Sequence, residues 1–346
     1  MRAGVDVRRD SQSLVAVSSR CYRPLKRPVG AVRCRLPPRA PTTKGAWLRR
    51  GVPPTSMSEL AGTDSPSSGT GSLAGPTGVC PAPLLPPLVV FDFDWSLINE
   101  NSDTYVVEQL DPSGVIIEKL EKQVTGGMPW TECMDWVAGQ LHAAGHDATA
   151  FAAALARVPV LRGALEAVAL AREHGADLRI LSDANELYIR WILTHLGLAE
   201  AFTTVETNGA VVEPTGRLRI RPHQPLDSPH GCPRCPPNLC KGAVLSNWLS
   251  EGVVGTGQPR RCVYVGDGGG DFCPAMRLSQ DDTLLARRAP HDGLLRKIRA
   301  SGRAPARVVE WSEKDDGASL LAGFREHFAC HALPPQPLTK VPRSSR

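Results

Sequence analysis

The chain has 346 residues, 42% of them hydrophobic, and a formal charge of +5, enough for a sizeable core with or without an appendage. Thirteen Lys and Arg stand against Asp6 and Asp10 in residues 1–56, so the remainder is net acidic, which argues against a nucleic-acid-binding body. No apolar run of about 18 residues occurs, against a transmembrane helix, and the ten cysteines are spread too widely for a disulfide scaffold, so reduced thiols in an intracellular compartment are expected.

Residues 1–56 are rich in Arg, Pro and Ser and lack the apolar core of a secretory signal. They fit an organelle transit peptide (chloroplast or mitochondrion) or a disordered leader on a cytoplasmic protein; translation from Met57 is a third reading. A Ser/Gly/Pro-rich linker over 57–86 leads into a folded domain over 87–330, and 331–346 reads as a flexible tail. The domain opens on LVVF (88–91), the first of five short apolar runs rich in β-branched residues. Helical periodicity follows over 150–158 and 163–175, then the run LRIL (178–181). Over 185–197, Leu187, Trp191, Ile192, His195 and Leu196 predict one apolar face, with His195 packed on it rather than catalytic and Gly197 ending the helix. KGAVLSNWLSEG, opened by Lys241, reads as a further helix before CVYV (262–265), TLLA (283–286) and RVVEW (307–311). Unbroken runs alternating with helices predict a doubly wound, Rossmann-like parallel α/β sheet with right-handed crossovers.

In such a sheet ligands bind beyond the carboxyl ends of the strands. There the sequence places Asp92 and Asp94 after the first run, Ser182 and Asp183 after the second, and Asp267 through Asp271 in GDGGGD after the third. Clustered carboxylates repel one another unless a cation joins them, and oxygen-only donors favour a hard ion such as magnesium. Ser182 and Lys241 can donate to the oxygens of a phosphate drawn to that ion. Each motif alone has a plain alternative, a turn or a helix cap; their order and common placement are more specific.

DFDWS, LSDAN, Lys241 and GDGGGD resemble, in order, the four motifs of the haloacid dehalogenase superfamily of phosphatases. With LINENSD, CPRCPPNLCKG and YVGDGGGDFCP, residues 88 to 312 resemble its phosphoethanolamine/phosphocholine phosphatase family, including plant relatives described as pyrophosphatases or thiamine-phosphate phosphatase-like. The resemblance implies a magnesium-dependent phosphatase acting on a small phosphorylated metabolite through an aspartyl-phosphate. Asp92 would be the nucleophile and Asp94 the general acid and base. The ion would be held by Asp92, the Asp94 carbonyl and Asp267, with Asp271 close by or acting through water. Ser182 would hold a phosphoryl oxygen, and Lys241 would link phosphoryl group and nucleophile. Ser96 stands where the family usually has Thr, and Trp95 at an often small-polar position, covering the sheet or lining the entrance.

About 85 residues separate the first two motifs, far more than a crossover needs; in this superfamily such an insertion forms a small helical cap, here over about 100–160, from SDTYVVEQL, MPWTECMDWVAGQLHAAG and the Ala-rich segment. Asp183 and Asp103 are candidates to meet the leaving group, and Trp130 or Trp136 to stack on an amine or ring, although packing within the cap is the expectation favoured for both tryptophans. Cys232, Cys235 and Cys240, with His230 or His223 as a fourth ligand, have the density of a zinc loop, against a Pro-rich loop that merely positions Lys241. Alternatives to hydrolysis are phosphotransfer to another acceptor and a catalytically silent binding domain. Substrate and oligomeric state are not legible.

Overall fold

A computed structural model describes residues 85–256 and 260–330; the expectations for the basic leader, most of the linker and the tail fall outside the described residues. Seven strands form one sheet: β1 (Leu88–Phe91), β2 (Asp177–Asn185), β3 (Thr204–Val212), β4 (Leu218–Arg221), β5 (Cys262–Gly266), β6 (Thr283–Arg287) and β7 (Arg307–Trp311). Their order is β4-β3-β2-β1-β5-β6-β7, and every neighbouring pair is parallel except β3 with β4. The fold is a mostly parallel, doubly wound α/β sheet of the Rossmann-like type. The five apolar runs are its β1, β2, β5, β6 and β7.

Strand β1 is buried on both faces, as a central parallel strand requires. Val89 and Phe91 pack with Ala164, Ala167, Leu320 and Phe324 on one side. Leu88 and Val90 pack with Leu245, Trp248, Leu294 and Ile298 on the other. The helices supplying these side chains are α5 (Arg162–Glu173) and α10 (Ala318–Cys330) on the first face, and α7 (Lys241–Thr256) and α9 (Gly293–Ser301) on the second. Each of the buried Val, Leu, Ile and Phe side chains among them contributes roughly 1.5–3 kcal/mol by leaving water.

Between β1 and the crossover helix α5 an insertion adds four helices: α1 (Ser102–Leu110), α2 (Val115–Thr125), α3 (Trp130–Ala143) and α4 (Ala148–Leu155). Asn101 caps α1 by accepting from the Thr104 N–H at 3.0 Å, and Asp147 caps α4 by accepting from the Ala150 N–H at 3.0 Å. Asp135 of α3 ties the insertion to the edge of the sheet. One of its oxygens accepts from the Ile220 N–H of β4 at 3.0 Å, while the other pairs with Arg217 and Arg219 at 3.3 and 3.1 Å.

Helix α6 (Glu186–His195) is capped by Asn185, which accepts from the Tyr188 N–H at 3.1 Å, and Gly197 follows it at φ +69°. Its buried face is Leu187, Tyr188, Ile189, Ile192 and Leu193. His195 is exposed at its last turn rather than packed. Helix α8 (Phe272–Ala275) completes the α-helices among the described residues. No helix among the described residues is long and apolar enough to cross a membrane.

Candidate active site

Register fixes the site. Phe91 lies opposite Ile180 of β2 and Val265 of β5, so Asp92 leaves the end of β1 at the level of Leu181 and Gly266, with Ser182 and Asp267 one residue further on. The chain beyond Asp92 makes a wide turn closed by the Ile98 N–H donating to the Phe93 carbonyl at 3.1 Å. Within it Trp95 takes φ +57°, a left-handed conformation that a bulky residue adopts only when its surroundings hold it there. Those surroundings are visible. The Trp95 ring stacks on His291 with centroids 3.6 Å apart, and the buried Arg287 donates to the Trp95 carbonyl at 2.6 Å while pairing with Glu313. Trp95 therefore braces the turn against the segment after β6.

The Asp92 carboxylate accepts at Oδ1 from the Phe93 N–H at 2.7 Å and from Lys241 Nζ at 2.8 Å. Lys241, the first residue of α7, also donates to Asp271 at 3.1 Å. Asp271 is saturated: Oδ1 accepts from Lys241 and from the Tyr264 hydroxyl at 2.8 Å, and Oδ2 from the Asp267 and Gly268 amides at 3.1 and 3.0 Å. It shapes the glycine loop and anchors the lysine. Oxygens of Asp92, Asp267 and Asp271 lie within 4.8 Å of one another, all buried. Burial holds the carboxyls of Asp92 and Asp267 well above the usual range, and neighbouring carboxylates add to it: Asp271 on Asp92, and Asp92 and Asp271 on Asp267. Lys241 is the only cation hydrogen-bonded to this trio among the described residues. The cluster is short of positive charge, and its donors are all oxygen, which fits a hard divalent ion.

Asp94 accepts from the Ser102 N–H at 2.9 Å. Burial, with the nearby charge of Asp103, pushes it up to about 7. Asp103 in turn accepts from the Trp130 indole N–H at 2.8 Å, and burial pushes it up to about 6. Ser182 is buried, its hydroxyl accepting from the Ala184 N–H at 3.1 Å, and the Asp183 carboxylate, half exposed, stands 3.9 Å from Lys241. Ser96 is buried in the turn. The structure thus brings Asp92, Lys241, Asp267, Asp271 and Asp183 together and places the Asp94, Asp103 and Trp130 group beside them on the side of the four-helix insertion.

The two tryptophans part company. Trp136 packs against the core, whereas Trp130 is exposed and hydrogen-bonded to Asp103, so packing accounts for only one of them. Neither histidine proposed as a fourth zinc ligand reaches the cysteines. His223 Nε2 lies 2.6 Å from Glu206, and both ring nitrogens of His230 are engaged by backbone, Nε2 with the Pro236 carbonyl and Nδ1 with the Cys232 N–H. The residue that joins Cys232, Cys235 and Cys240 is Cys273. Sequence reasoning also passed over Tyr264 and Asn238. Tyr264 lies inside the apolar run CVYV with no polar signal of its own. Asn238, within CPRCPPNLCKG, donates to Thr131 of α3 at 3.1 Å and to Asn208 at 2.7 Å, and could have been found from that motif.

The family described as Putative Phosphatase matches residues 87–324. The chain is 36% identical to "Inorganic pyrophosphatase 2" of Arabidopsis thaliana over 202 residues, 58% of this chain and 70% of that protein. It is 34% identical to "Thiamine phosphate phosphatase-like protein" of the same plant over 236 residues, 68% of this chain and 93% of that one. With "Pyridoxal phosphate phosphatase PHOSPHO2" of Bos taurus it shares 33% over 238 residues, 68% of this chain and 96% of the relative.

Proposed function

The chain belongs to the putative phosphatase family and is a phosphatase of the haloacid dehalogenase type, and from that premise we propose that it hydrolyses a small phosphorylated metabolite through an aspartyl-phosphate on Asp92, with magnesium. The observation that carries this reading is the Lys241 ammonium 2.8 Å from Asp92 Oδ1, inside a trio of buried carboxylates at the end of β1 and β5.

Asp92 and Asp267 would hold the ion with the Asp94 carbonyl, Asp271 standing close by or acting through water. When bound, magnesium supplies positive charge that keeps Asp92 ionised and polarises the phosphoryl oxygens. The chain's own groups do the rest. Lys241 fixes Asp92 Oδ1 and leaves the other oxygen to attack phosphorus. As that bond forms and the phosphorus–oxygen bond to the leaving group breaks, Asp94 gives its proton to the departing oxygen. It then takes a proton from water, which attacks phosphorus and frees Asp92. A group at about 7 is suited to both directions at neutral pH. The Ser182 hydroxyl holds a phosphoryl oxygen, and the insertion, tied to β4 through Asp135, limits water during the first transfer.

Asp183 at the rim and the buried Asp103 near it make the outer side of the site acidic. A cationic leaving group, as in phosphoethanolamine or phosphocholine, or the thiazolium of thiamine monophosphate, suits that rim better than the highly anionic pyrophosphate does. Relatives named for pyrophosphate and pyridoxal phosphate keep those compounds in the test. Phosphate release from all five compounds, with and without magnesium and with Asp92→Asn as control, decides the matter. We expect turnover only with the ion and the intact aspartate, highest on a cationic substrate; negligible release from every compound would overturn the reading, and transfer of phosphate to an added alcohol would convert it to a phosphotransferase.

A further inference from the structure

Four cysteines converge at a place the phosphatase chemistry does not use. Cys232 and Cys235 lie in the Pro-rich loop before α7, Cys240 immediately precedes Lys241, and Cys273 stands two residues beyond Asp271. Their sulfurs all lie within 4.8 Å of one another, and both Cys232 and Cys240 are 3.9 Å from Cys273. A disulfide would draw two sulfurs to about 2.05 Å. Tetrahedral zinc, with zinc–sulfur bonds of about 2.3 Å, sets its ligands about 3.8 Å apart. The observed spacing matches the second geometry, and all four cysteines are free.

The surroundings are those of a thiolate site. The Ala243 N–H, in the first turn of α7, donates to the Cys240 sulfur at 3.4 Å. Such an amide donor and a helix N-terminus stabilise negative sulfur. Gly242 is required beside it: a Cβ there would lie 2.5 Å from the Cys273 sulfur and 3.0 Å from the Cys273 carbonyl oxygen.

We propose that Cys232, Cys235, Cys240 and Cys273 bind one structural zinc ion as a closed tetrathiolate, stapling the loop that delivers Lys241 to the turn that delivers Asp271. Four thiols give up their protons on binding and no redox change is involved. Every coordination position is filled by sulfur, so the ion has no open position for catalysis.

The test is metal content of the full chain purified without added metal. We expect one zinc per chain, retained by Cys330→Ser, whose exposed thiol lies outside the cluster, and reduced at least about tenfold by Cys235→Ser or Cys273→Ser. Cobalt substitution of the parent should give the thiolate charge-transfer and tetrahedral bands of an all-sulfur site, a readout that stands even if the serine variants fail to fold. Four thiols freely reactive to Ellman's reagent with no bound zinc, a disulfide found by mass, or iron in place of zinc would each overturn the assignment.

Discussion

Two ion-ready clusters share the turn after β5, one joining it to the end of β1 and the other to the loop before α7, and they differ in what decides how an ion behaves there. The oxygen cluster of Asp92, Asp267 and Asp271 lies at the floor of the sheet, shares a single ammonium and leaves the Asp267 carboxylate without a hydrogen bond among the described residues. The sulfur cluster lies in a loop, half-buried at Cys232 and Cys235, and is complete in itself. Hard, unsaturated donors suit an ion that comes and goes with phosphate; soft, saturated ones suit an ion that stays. Cys240 and Lys241 are adjacent, so rigidity built on one side is delivered directly to chemistry on the other.

That contrast breaks first at the nucleophile. Asp92→Asn should lower phosphate release by a factor on the order of 10⁴ while leaving the melting temperature of the metal-free protein equal or higher, because one of three mutually repelling carboxylates is gone. Asp271→Asn should cost on the order of 10²-fold in kcat, since it weakens the anchor of both Lys241 and the glycine loop; steady-state kinetics at saturating magnesium will show it. Asp94 gives a pH signature. Its carboxyl must be protonated for the first transfer, so kcat/KM should fall as pH rises through about 7, and Asp94→Asn should remove that limb along with about 10²-fold or more of activity. Brief EDTA treatment followed by gel filtration sharpens the comparison: activity should vanish and return with magnesium while zinc remains with the protein. The smallest effect belongs to Trp130→Phe, which removes the indole bond to Asp103 and should raise KM for a cationic substrate by about fivefold, equivalent to about 1 kcal/mol.

The same contrast shows what the sequence could and could not convey. Strands β1, β5 and β6 announce themselves because strands buried on both faces must be apolar throughout, and β2 and β7 because each carries a short apolar run, LRIL and RVVEW. Strands β3 and β4 do not: TVETNGAVV lies next to the edge and is exposed at Val205, Val211 and Val212, LRIR is the edge strand itself, and their mixed pattern resembles a loop. Helix α2 carried a readable stripe, Ile116 and Leu120 with Ile117 and Val124 beside them, but its charged face dominates the segment. At the site, carboxylates placed after apolar runs could be gathered by the rule that ligands bind beyond strand ends. Cys273 could not be gathered with the other cysteines, because only the packing of the turn after β5 against the start of α7 sets it beside them. His230 looked like a ligand by spacing alone, and its two ring nitrogens turned out to be needed by the backbone of its own loop.

The way the insertion of α1 to α4 is attached has a consequence for exchange of parts. It leaves from the carboxyl end of β1 and returns through α5 to the far end of the parallel β2, and its two ends are joined by the Asn99 N–H donating to the Pro159 carbonyl at 2.8 Å. Its ends are held by the floor, and its only described polar ties to the sheet edge run through Asp135 to the segment 217–220. A foreign insertion that spans the same gap and offers one acid to that edge should seat over an unchanged reaction centre. What travels with the insertion is Asp103, Trp130 and the Ser102 amide that holds Asp94, while Asp92, Asp183, Lys241 and Asp267 stay with the sheet.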